Sequence, residues 1–207
     1  METKQAVKDL QVIRFLMEHS AIYRRALAPI MLFTGAIGML AAGAGLYFRV
    51  VEPRAFAGLW LGTAVAAVSG AFLLARRQAI QDQELFWSPP TRRVGQALLP
   101  PLLCGLFIGL MLALLDANWM VDLPMAMVWM LFYGCALNSA GFFMTRGIKW
   151  FGWIFIVSAI GLVILALSAN SSSHPWSGNL VMGFFFGVLH LAYGVYLYLT
   201  EKRKNAV

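Results

Sequence analysis

From Trp150 to Thr200 the chain carries no Asp, Glu, Lys or Arg. A run of that length suits lipid rather than water. It exceeds one helical crossing, which takes about 20 apolar residues. The segment ANSSSHPWSGN (169–179) supplies the turn formers that divide it, so two spans are expected, at 150–168 and 180–200. The same reading places four more at 26–48, 55–75, 96–115 and 124–145, each an apolar stretch bounded by charge or by turn residues. Six crossings occupy more than half of the 207 residues. Composition agrees, with 60% hydrophobic and 12% charged residues, against about half and a quarter in soluble domains. The expected fold class is an all-α integral membrane protein, a compact bundle of six transmembrane helices preceded by an N-terminal amphipathic helix.

The net charge of +7 is gathered at segment ends rather than on one face. That distribution argues against a nucleic-acid partner, which needs a basic surface on a folded element. It sets orientation instead. Lys4, Lys8, Arg14, Arg24 and Arg25 precede the first span. Arg76, Arg77, Arg92 and Arg93 lie between the second and third, Arg146 and Lys149 follow the fourth, and Lys202, Arg203 and Lys204 close the chain. Against these fourteen, the opposite connections hold Arg49 and Arg54 alone. Basic residues stay on the cytoplasmic side, so both termini are expected there. Trp119 and Trp176 then fall at the outer boundary, and Trp87 and Trp150 at the inner one, as an interfacial belt requires. Pro29, Pro100 and Pro124 are placed in the first turns of their helices, where a missing N–H costs little.

Three regions result: a cytoplasmic amphipathic helix at 1–25, a six-helix membrane domain at 26–200 and a cytoplasmic tail at 201–207. The first 25 residues hold eight charges, too many for a signal-peptide n-region, so no cleavage is expected. Within 4–24, Val7, Leu10, Ile13, Met17 and Ala21 recur at helical spacing. A helix of this kind lies on anionic lipid or docks a cytoplasmic partner. The Arg pairs, Asp82, Glu84 and Pro89–Pro90 of the 76–95 loop read as helix-end anchors and a turn, with a phosphate-binding lid as the alternative.

Gly58–Gly62, Gly105–Gly109 and Gly183–Gly187 are GxxxG pairs. Burying apolar groups gains nothing between lipid-embedded helices, so they associate by close backbone approach at small residues. Packing within the bundle is expected for all three pairs, with a homodimer face as the alternative. Ser69-Gly70, Ser139-Ala140-Gly141 and Tyr193-Gly194 hint at three consecutive helical hairpins of like orientation.

No span holds a carboxylate, lysine or arginine in its interior, which weakens ion pumping and ion-coupled transport. No phosphate loop, GxSxG, HExxH or paired aspartates occur, so catalysis is not expected. Cys104 and Cys135 fall in apolar stretches and read as small hydrophobes. Only one of three histidines, His190, lies in a span. Haem ligation by two histidines needs a second imidazole at that depth, and zinc needs about three ligands, so neither a cofactor nor a metal is expected. Asn138 and His190 come out within a helical turn of each other in depth, so they are expected to bond to each other between spans four and six, or to backbone carbonyls nearby. Ser69, Tyr133 and Tyr193 extend that candidate buried polar cluster.

The stretches IRFLMEHSAIYRRALAP (13–29), FWSPPTRRVGQALLPP (86–101) and ALNSAGFFMTRGIKWFGWIF (136–155) together resemble a group of bacterial six-span inner-membrane proteins with no assigned activity. The resemblance carries no site residue. It implies genes beside winged-helix transcription regulators, hence a signalling or envelope-homeostasis role, and a histidine in some relatives where Asn138 stands. The reading that results is a non-catalytic membrane-embedded sensor, regulator or assembly partner. Its partners are the lipid bilayer and either a second copy or another membrane protein. The alternative is a small channel or carrier for a neutral or apolar solute.

Overall fold

The computed structural model describes residues 26–81, 83, 86–114, 122–144, 146–168 and 177–204. The expected amphipathic helix at 1–25, and with it His19, His174, Trp119 and Trp176, lie outside the described residues. Among the described residues the chain forms six helices long and apolar enough to cross a membrane: α1 Ala26–Tyr47, α2 Pro53–Gln81, α3 Pro89–Leu114, α4 Asp122–Ala140, α5 Arg146–Ser168 and α6 Gly178–Thr200. It is a multi-pass membrane protein and an all-α bundle. α6 is not uniform. One wide π turn, Gly183–Val188, separates its first five residues from the α-helix that starts at Leu189.

Local sequence explains the ends. α1 closes on Arg49, whose φ of 51° is left-handed. Val50 N–H donates to Gly45 O at 2.8 Å and Arg49 N–H to Leu46 O at 3.3 Å, the two reverse bonds of a Schellman cap. Glu52 accepts from the N–H groups of Arg54 and Ala55 at 3.2 and 2.7 Å, so a carboxylate caps the N-terminus of α2. α3 begins at Pro89, earlier than expected, which moves Pro100 and Pro101 into the helix interior. Pro89 occupies the first helical position instead, and membrane helices tolerate interior prolines where neighbours satisfy the freed groups. α4 stops at Ala140, not at 145, because the chain reverses through residues 141–144. Phe142 and Phe143 in that turn are exposed, so their apolar character reflects lipid contact rather than a continuing helix.

α4 is central, with half of its span buried, and packs on α3, α5 and the start of α6. α2 is peripheral, with 11% buried. One cluster of the core joins α1, α4, α5 and α6 around Met130, Phe151 and Phe155; another joins α1, α2, α3, α4 and α6 around Phe56, Trp60 and Met125. The first and last helices meet backbone to backbone. A Cβ on Gly38 would stand 2.6 Å from Phe186 O, and one on Gly35 2.6 Å from Leu191 N. Gly187 faces Met39 and Gly194 faces Leu32 across the same seam. Gly105 and Gly109 face Phe132 and Trp129 of α4. Two of the three GxxxG pairs therefore pack inside the bundle. Gly58 and Gly62 do not: nothing lies within 4 Å of a Cβ on either, because α2 turns that face away from its neighbours. The hinted hairpin repeat fails too, since Ser139 and Gly141 mark a helix end while Ser69 and Tyr193 lie inside helices.

Candidate functional site

The π turn shapes the centre of the bundle. Its wide register has Leu189 N–H donating to Phe184 O, five residues back, as single π turns do. One position further on, His190 Nδ1 lies 3.0 Å from Phe185 O, also five residues back. A peptide carbonyl can only accept, so Nδ1 is the donor. In the neutral ring Nε2 is then the acceptor, and it takes the Tyr133 hydroxyl at 2.7 Å. His190 is wholly buried. Its ring is caged by Phe186, stacked at 5.8 Å, and by Phe151 and Phe155, edge-on at 5.0 and 5.7 Å.

The expected cluster is thus partly assembled. Tyr133 and His190 bond directly. Tyr193 joins at one remove, stacking at 4.8 Å on Phe151. Asn138 does not bond to His190, both of whose ring nitrogens have other partners, and its buried Nδ2 has no hydrogen-bond partner among the described residues. The early end of α4 is the reason: Asn138 falls in its last turn, while Tyr133 stands about 7.5 Å deeper at ~1.5 Å rise per residue. Ser69 is exposed on α2, away from the histidine but beside the same cavity as Tyr133.

That cavity, about 390 Å³, lies between α1, α2, α3, α4 and the π turn. Tyr133 and Phe186 belong both to its lining and to the cage of His190, so they form the wall between the two. Trp60 and Trp129 supply much of the rest. Neither indole offers its N–H to the cavity: Trp60 donates to Asn179 Oδ1 at 3.0 Å and Trp129 to Gly105 O at 3.2 Å. Thr63 likewise gives its hydroxyl to Leu59 O at 2.8 Å. The lining is left almost wholly apolar, in the roughly 300–1,000 Å³ range of small-molecule sites. Val65 and Val68 on α2, and Leu102 and Leu106 on α3, are exposed and open it toward the bilayer.

Two buried polar residues escaped the sequence reading. Asn179, assigned to the turn before span six, is 1% exposed. Besides accepting from Trp60, it donates Nδ2 to Val50 O at 2.7 Å, tying the Schellman cap of α1 to α6. Asp122, read as part of a connection, is buried at the start of α4 and accepts from Gly178 N–H at 2.6 Å. A signal existed. Ser177 precedes Gly178 and Asn179 and accepts from Asn179 N–H at 3.2 Å; its N-cap preference would have started the helix two residues earlier.

Among the described residues no group of three His, Cys, Asp or Glu side chains could hold a metal ion. No protein-family model, curated protein or solved structure matches the chain. Fold and site define a class: a six-helix membrane protein enclosing an apolar cavity walled by aromatic rings.

Proposed function

We propose that this chain is a non-catalytic sensor or regulator of a bacterial inner membrane, with both termini cytoplasmic, whose input is an apolar ligand held in the mid-membrane cavity. The carrying observation is that cavity. Every indole N–H at its wall is already satisfied, and the hydroxyls of Thr34 and Ser69 are few among the apolar side chains, so the lining favours hydrocarbon over a polar solute. Its lining draws on five structural segments, so occupancy changes how α2 sits against the others. The output passes to a partner in the membrane, either a second copy or another membrane protein. α2 suits that role because its Gly58 and Gly62 face open space.

Bromine on an acyl chain quenches tryptophan fluorescence on contact, and Trp60 and Trp129 line the cavity. In vesicles containing brominated-chain lipid, part of the emission should be quenched through the cavity. Ala64→Phe, which fills the cavity from α2, should abolish that part while leaving quenching of exposed Trp87, Trp150 and Trp153 intact. Identical quenching in the filled variant would overturn the reading.

A further inference from the structure

The cavity does not end among apolar side chains alone. On α2 its lining includes Val65 and Ser69, and the same helical stripe continues through Phe72 to Arg76. On α3 the lining includes Leu102 and Leu106, and that stripe continues through Leu99 and Gly95 to Arg92. Arg76 and Arg92 are both exposed, as are Arg77 and Arg93 beside them. All four stand toward the connected end of the α2–α3 hairpin, Arg76 and Arg77 in the last turns of α2 and Arg92 and Arg93 in the first turns of α3. Between arginines and cavity the path is uncovered: Phe72 and Leu99 are exposed, and a Cβ on Gly95 would meet nothing within 4 Å. Phe86, from the connection, packs edge-on against Phe72 at 4.9 Å and gives the path an aromatic side.

The lengths match a lipid. Arg76 stands seven positions along α2 from Ser69 and Arg92 ten along α3 from Leu102, so the arginine Cα atoms lie about 10–15 Å from the cavity lining at ~1.5 Å per residue. That equals one leaflet's share of a hydrocarbon core ~30 Å thick. Guanidinium groups match phosphate oxygens in pairs, and basic residues at span ends attract anionic headgroups.

We propose that the Arg76–Arg92 cluster and the cavity form one site for an anionic phospholipid of the adjacent leaflet. Its phosphate pairs with the arginines, and one acyl chain runs past Phe72 and Leu99 into the space beside Trp60 and Trp129. This rests on the apolar-ligand reading and names that ligand's class. A free phosphate compound would fill only the arginine end, and a neutral lipid only the cavity.

The test uses full-length protein in phosphatidylcholine vesicles doped with brominated-chain phosphatidylglycerol or with phosphatidylcholine carrying the same chains. The quantity read is the quenching that Ala64→Phe removes. Phosphatidylglycerol should reach half-maximal quenching at several-fold lower mole fraction. The double variant Arg76→Gln, Arg92→Gln should lose that preference and retain the residual quenching by phosphatidylcholine, with an unchanged circular dichroism spectrum. Equal quenching by both headgroups, untouched by the arginine substitutions, overturns the phospholipid assignment while leaving the apolar-ligand reading in place. Absence of any component that Ala64→Phe removes overturns both.

Discussion

Tyr133 and Asn138 sit five residues apart on one helix and carry opposite expectations. Tyr133 supplies the partner of His190 Nε2 at 2.7 Å. Tyr133→Phe keeps the ring and its contacts but leaves a buried imidazole nitrogen without a donor. Thermal unfolding of the purified protein should show a loss of about 1–2 kcal/mol. His190→Leu on top of it should add less than it costs alone, because the two substitutions break the same bond. Asn138 behaves differently, since its buried Nδ2 bonds to nothing among the described residues. Asn138→Ala removes a desolvated donor, so its effect should fall within about 1 kcal/mol of zero, on the stabilising side where repacking succeeds. A large loss would show that the amide has a partner, such as a buried water. Sequence made both residues conspicuous, as polar groups in apolar runs. It could not rank them, because their depths depend on where α4 ends, and the exposed Phe142 and Phe143 disguise that end as more helix.

Among the helices, the glycines divide by what lies opposite them. Gly38 faces the backbone of Phe186, which cannot yield as a flexible side chain can. Gly38→Ala should force α1 and α6 apart and lower stability by on the order of 2 kcal/mol. Gly62→Ala adds a methyl into open space and should be neutral or stabilising by up to about 1 kcal/mol through helix propensity. Melting curves of the two variants in one detergent decide the matter, and equal losses would show that the open face of α2 is covered. The number and rough limits of the spans were legible in hydropathy, because each crossing must be apolar along its whole length. Which glycines touch was not, since the pattern that marks a close helix pair also occurs on a helix left open. The π turn was equally hidden: GFFFGV reads as ordinary apolar helix. The cavity was hidden for a related reason, because hydropathy reports what side chains prefer and not how well they fill space.

For the molecule as a whole, charge remains the guide to orientation. Reporter fusions after Arg25, near Gln83, at Gly147 and at the C-terminus should register cytoplasm, and fusions near Asn118 and Ser172 the opposite side. One firm reversal would break the proposed topology. The bundle that these crossings build has a particular order of assembly written into it. Of the six described spans α1 is made before the others and α6 after them, yet Gly35 and Gly38 of the one fit against the backbone of the other. The seam therefore waits, facing lipid or a temporary neighbour, until α6 has been made. A chain that stops after α5 leaves the Gly35–Gly38 face of α1 bare. Synthesis of α6 and closure of the α1–α6 seam become the same event.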